Sequence, residues 1–189
     1  MATSRSNKIK RIAKKSGMAV SGNFLIGLHN DDVVSGLAID SPPSSTYLWI
    51  FILPTYDSLK FLHMTLGDRV ASCDGGDEVD SCFTDALNKY RSIFSKITSA
   101  SDIYAYLDSR GSSGDYSNWV KYLSLIRVGD FASAENFLSA SPMLSTWSIA
   151  VPKIQKIEAA KAAGGWTEVQ RLLTEWSSAT SALVRGKNR

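Results

Sequence analysis

His29 and His63 are the two histidines of the chain, and histidine titrates near neutrality, so they are where proton-transfer chemistry would first be sought. Together with Asp31 or Asp57 they would make a general acid/base site, with a carboxylate orienting an imidazole that moves a proton. No nucleophile motif and no oxyanion element accompanies them. The plainer expectation is that His63, between Leu62 and Met64 in an alternating stretch, lies on the polar face of a strand.

Metal and phosphate chemistry fare no better. Neither histidine has a second histidine or a cysteine at ligand spacing, and Cys73 and Cys82 are too far apart in sequence for the gap of about two to four residues in a zinc knuckle. Both cysteines are expected to remain thiols, as suits a reducing compartment. The acidic run Asp74, Asp77, Glu78 and Asp80 lacks the order and the distal glutamate of a calcium loop. It reads as a solvated turn whose last carboxylates sit at a helix N-terminus. A Gly-x-Gly-x-x-Gly opening a helix after a strand is missing, as is Gly-x-x-x-x-Gly-Lys-Ser/Thr. The loop Gly111-Ser112-Ser113-Gly114 has neither the strand nor the lysine of a phosphate cradle. No catalytic residue, metal or cofactor is expected.

Charge is the strongest signal. The chain carries 21 basic and 18 acidic side chains, but they are segregated. Residues 1–17 hold six basic and no acidic residues, 18–80 two basic against nine acidic, and 151–189 seven against three. Clustered like charge repels itself unless a partner or another part of the chain compensates it. Residues Ser6 to Lys15 fit a short helix with Ile9, Ile12 and Ala13 on one side and Lys8, Lys10, Arg11, Lys14 and Lys15 around the rest. Alone it would be marginal in water and should order on contact. Nucleic acid phosphate, an acidic protein and the chain's own acidic sheet region are the three candidates for what it meets.

The elements that must position these groups form two regions behind the arm, expected as one compact unit: 1–17 as basic arm, 18–75 as β-meander region and 76–189 as helical region. Val33 to Asp40 and Thr46 to Leu53 read as an antiparallel pair joined by the loop containing Pro42 and Pro43. Lys60 to Leu66 reads as a returning third strand and Phe24 to Leu28 as a fourth. In the middle strand Leu48, Ile50 and Ile52 share one face, and Tyr47, Trp49, Phe51 and Leu53 the other. Both faces must therefore be covered, and Tyr47, Trp49 and Phe51 are the candidate surface for a partner. From about 79 to 97 the period changes to 3.6, with Phe83, Ala86, Leu87, Tyr90, Ile93, Phe94 and Ile97 on one stripe. A shorter helix spans Ser101 to Ser109. The fold class is α+β, an N-terminal antiparallel meander packed with C-terminal helical hairpins.

A constant offset of 35 aligns Gly129-Asp130-Phe131, Ala134, Phe137 and Leu138 with Gly164-Gly165-Trp166, Val169, Leu172 and Leu173. It also pairs Trp119, Tyr122 and Leu125 with Ile154, Ile157 and Ala160. This stretch, about residues 115–180, resembles the helical hairpins of tetratricopeptide-type repeats, with a glycine, an aromatic and a small residue where two helices cross. Chance likeness between antiparallel helix pairs is the alternative. Pro142 and Pro152 interrupt the pattern.

No apolar run approaches the roughly 18–20 residues needed to cross a bilayer, and Ser21, Gly22 and Asn23 cut short what would follow the basic arm of a signal peptide. The expectation is a cytoplasmic, non-catalytic subunit that binds another protein as a homo- or hetero-oligomer, with no membrane partner. An accessory nucleic-acid-binding protein using its basic arm is the alternative, and an unrecognised enzyme the third.

Overall fold

The computed structural model describes residues 2–73 and 79–186. A helix α1 (Ala2–Lys15) leads into strands β1 (Ala19–Ser21), β2 (Phe24–His29), β3 (Val33–Asp40), β4 (Tyr47–Pro54) and β5 (Arg69–Ser72). Helices α2 (Val79–Ile93), α3 (Ala100–Ser109), α4 (Asp115–Arg127), α5 (Phe131–Ala140) and α6 (Val151–Gly186) follow. The strands form an antiparallel meander in chain order, so the protein is α+β. β3 and β4 pair along their whole length, from Val33 opposite Pro54 to Asp40 opposite Tyr47, as their β-branched and aromatic content favours.

One expected strand is not a strand. Lys60–Leu66 lies over the sheet instead of beside it, with Leu59, Leu62 and Met64 packed on Ile26, Val34, Ala38, Phe51 and Leu53. Alternating apolar residues such as Leu62 and Met64 can cover a sheet as well as join it, and here burying them with Leu59 against an apolar face outweighs one more ladder. The true neighbour of β4 is β5, reached through Gly67, where a Cβ would stand 1.7 Å from the carbonyl oxygen of Ile50. That close approach lets the Asp68 carbonyl accept from Ile50 N–H at 2.8 Å. Phe24–His29 does pair, and Ala19–Ser21, which the pattern did not reveal, extends the sheet beyond it.

Leu25, Leu37, Leu48, Ile50 and Ile52 meet Ile9 of α1 and Phe83, Ala86, Leu87 and Tyr90 of α2 in the larger core. Full burial of such side chains contributes about 1.5–3 kcal/mol each. Helix α1 is part of this core, with Ile9 and Ala13 fully buried, so tertiary packing supplies the stability that the isolated segment lacks. Lys8 reaches Asp80 at 2.7 Å, and Lys10 donates to the Asn23 side chain at 3.0 Å. At least part of the arm's charge is thus compensated within the chain.

The cysteines are not free. Cys73, just past β5, and Cys82, in α2, form a disulfide with Cα atoms 5.8 Å apart, inside the usual bridging range. Sequence spacing hid this because the packing of α2 beside β5, not the separation along the chain, sets the distance. Asp74, Asp77 and Glu78 of the acidic run lie outside the described residues; Asp80 lies in the first turn of α2.

In the helical half, α3 opens on a capping box in which Ser99 and Asp102 satisfy each other's backbone N–H groups, as Ser-x-x-Asp does at helix starts. α4 is buried from Trp119 to Ile126 and is the centre of this half. Gly129, at φ +85°, makes the turn to α5. Within α6, Gly164 and Gly165 leave helical geometry, Gly165 at φ +67°, and divide it into two arms, 151–163 and 166–186. The rings of Phe131 and Trp166 stack at 4.6 Å with planes 5° apart. Among the described residues no helix is long and apolar enough to cross a membrane.

Candidate binding cleft

Beyond β4 the backbone plunges inward. Thr55 N–H donates to the Asp32 carbonyl at 2.9 Å, Tyr56 is fully buried with its hydroxyl 2.7 Å from Ser124 Oγ, and Asp57 is fully buried as well. A buried carboxylate requires partners, and Asp57 has them from three helical segments. Trp119 Nε1 donates to it at 3.1 Å and the Tyr116 hydroxyl at 3.3 Å, both from α4. Lys153 of the first arm of α6 forms a close ion pair with it, and from the second arm Thr180 Oγ1 donates to its backbone carbonyl at 2.9 Å. Burial together with the Asp57 charge holds the Tyr116 phenol well above its ordinary pKa, so it stays a donor. Asp57 is an anchor: its oxygens are occupied by protein donors.

From that anchor the chain re-emerges at Ser58 and runs over the sheet, and between this loop and residues 147–156 a cleft of about 670 Å³ opens, within the range of small-molecule and peptide pockets. Its wall is a run of rings. Phe61 lies 6.1 Å from His63, His63 4.8 Å from Tyr116, and Tyr116 6.3 Å from Trp147, all edge-to-face. Ile149 and Pro152 complete the apolar lining, and Lys60 and Lys156 stand at it. Phe61 is 61% exposed and Ile149 56%, unusual for side chains of that size flanking one opening.

His63 is mostly buried, and its Nδ1 is enclosed without a hydrogen-bond partner. Burial lowers its pKa, only partly opposed by the Asp57 charge, while Lys153 lowers it further. It is therefore neutral at pH 7. The imagined constellation splits: Asp57 and His63 both line the cleft, whereas His29 sits elsewhere, 3.0 Å from Ser181 Oγ in α6. Burial and nearby Arg185 lower the pKa of His29 against the pull of Asp31.

The expected partner surface is mostly occupied by the chain itself. Phe51 is fully buried under Leu59, Leu62, Met64 and Val184 and edge-on to Phe24 at 5.1 Å, so it presents nothing to a partner. Trp49 is half-buried with its Nε1 unpartnered, and Tyr47 is half-buried beneath the Arg69 guanidinium at 4.9 Å. Of the arm, Arg11, Lys14 and Lys15 face outward. None of these residues lines the cleft. Lys60, Phe61, Tyr116, Trp147, Ile149 and Lys156 were not singled out by sequence, since they come from three segments far apart in the chain. The one available signal was Trp147 and Ile149 standing in an otherwise Ser-rich, non-periodic stretch. No family model, curated protein or solved structure matches the chain.

Proposed function

We propose that the protein is a non-catalytic interaction subunit that holds a segment of another protein in the cleft between loop 58–65 and the start of α6. The observation that supports this most is the pairing of exposed Phe61 and Ile149 across an aromatic-walled opening, since large exposed apolar side chains gathered at one place mark interaction sites. Saturation of Asp57 by Trp119, Tyr116 and Lys153 favours binding over proton transfer. The likeness of residues 115–180 to tetratricopeptide-type hairpins agrees with a binding role, as such hairpins present concave surfaces.

Selection of a random peptide library displayed on phage tests the reading. Enriched peptides should bind the wild type and lose binding to the Phe61→Ser/Ile149→Ser double variant, whose changes lie on exposed side chains. No enrichment, or enriched peptides that bind both proteins alike, would overturn it.

The outward face of α1 supports a second reading, in which Arg11, Lys14 and Lys15 contact nucleic acid phosphates. Such binding would weaken with salt by about 0.9 in log K per log salt for each phosphate neutralised on duplex DNA, and a flat salt profile excludes it. The proposed cytoplasmic setting stands against the closed Cys73–Cys82 bond, which reducing compartments disfavour. Mass measurement after alkylation in the source material decides: two labelled thiols support the cytoplasm, and none overturns it.

A further inference from the structure

We infer that the cleft selects an acidic partner segment: an aromatic or large aliphatic side chain seated against Tyr116 and Trp147, with flanking carboxylates on Lys60 and Lys156. This rests on the reading of the cleft as a docking site and adds the chemistry of what docks. Lys60 and Lys156 are exposed and, among the described residues, enter no ion pair or hydrogen bond, in contrast to Lys8, Lys121, Lys153 and Lys161. Among the described residues the single carboxylate in the lining is Asp57, which is buried and already compensated by Lys153. Two uncompensated cations therefore stand over an apolar, low-dielectric wall with no anion paired to them among the described residues. Such walls focus the field into the opening and draw in the complementary charge.

The same geometry disfavours a nucleic acid strand in the cleft. Single-strand binding needs a track of cations along the backbone and open ring faces for stacking. Here the described lining offers two free lysines, and its rings meet edge-to-face with one another. An apolar anchor between short-range cation contacts is a peptide's shape.

Sequencing the phage pool selected on the wild type tests the inference. Asp and Glu should be enriched beside the apolar core, and a synthetic winner should bind about tenfold tighter than its Asn/Gln analogue, the sum of two exposed ion pairs. The gap should close as salt rises toward 1 M, where screening acts over about 3 Å. On the Lys60→Glu/Lys156→Glu variant the preference should turn to Lys and Arg. A pool that is enriched and needs Phe61 and Ile149 but shows no acidic bias overturns the inference and leaves the docking reading in place. An empty pool overturns both. Displacement of the acidic winner by an oligouridylate with equal or higher affinity would assign the cleft to nucleic acid instead.

Discussion

On one face of the sheet Leu48, Ile50 and Ile52 meet regular helices, α1 and α2, whose backbone polar groups are satisfied within themselves. On the other, Phe51 and Leu53 meet an irregular loop and the last turns of α6. A loop over a dry face brings backbone N–H and C=O groups that need outside partners. That is why the irregular cover is pinned by side chains, with Thr180 on the Asp57 carbonyl at 2.9 Å and the Asp57 carboxylate on α4 and α6, while Ser177 ties the neighbouring β2–β3 turn through the Asp31 carbonyl at 2.7 Å. Helices close a surface, whereas a pinned loop leaves gaps between its pins, and the cleft is such a gap.

The sharpest way to break the contrast is to pull the central pin. Asp57→Ala leaves the mostly buried Lys153 ammonium without its counter-charge, and loss of one partner of a buried pair costs about 3–5 kcal/mol. Urea unfolding should show that loss, and Asp57→Ala/Lys153→Met should recover part of it. If the single variant were as stable as wild type, the loop would not depend on the pin.

Packing comes next. Phe83→Ala under the helical cover should cost about 3–5 kcal/mol, and Leu62→Ala under the loop about 2 kcal/mol, because the loop can settle into the space left and a helix cannot. Equal losses in denaturant titrations would erase the difference between the two covers.

A smaller effect concerns pH. The folded pKa of His63 lies below its ordinary value of 6.5, so from 6.5 downward the unfolded chain binds the proton more readily and stability falls with falling pH until the folded value is passed. His29 is shifted in the same direction. His63→Phe should flatten thermal stability between about pH 5 and 7; an unchanged slope would mean that the burial of His63 carries no linkage. Smallest of all, Lys8→Ala on the helical side should cost about 0.2–1 kcal/mol, because its pair with Asp80 is largely solvated, and a loss above this range would show α1 held by charge more than by Ile9.

The helical cover was legible because its code is local: Phe83, Ala86, Leu87 and Tyr90 recur at helical spacing, and all are buried. Strands β3 and β4 were likewise evident from their composition. The loop-covered side was not, since Leu62 and Met64 alternate as a strand would and only the competition for a sheet face decides between the two uses. Trp49 and Phe51 pointed correctly to an apolar face needing cover, but periodicity does not tell whether a partner or the same chain supplies it. The cleft was the least legible feature, because Phe61, Tyr116 and Trp147 meet only after the chain has folded across almost 90 positions.

The pins from the second arm of α6 also set a schedule. Ser177, Thr180 and Ser181 bond residues 146, 123 and 152 positions earlier in the chain. At about 5–20 residues per second, a ribosome that has completed the β3–β4 hairpin works for roughly another 6–25 s before the segment that pins the cover of its second face exists. Throughout that interval Val34, Ala38 and Phe51 have only the unpinned loop of Leu59, Leu62 and Met64 over them, the condition under which nascent sheets find chaperones or one another, so the order of synthesis makes the late arm of α6 the guardian of the early strands.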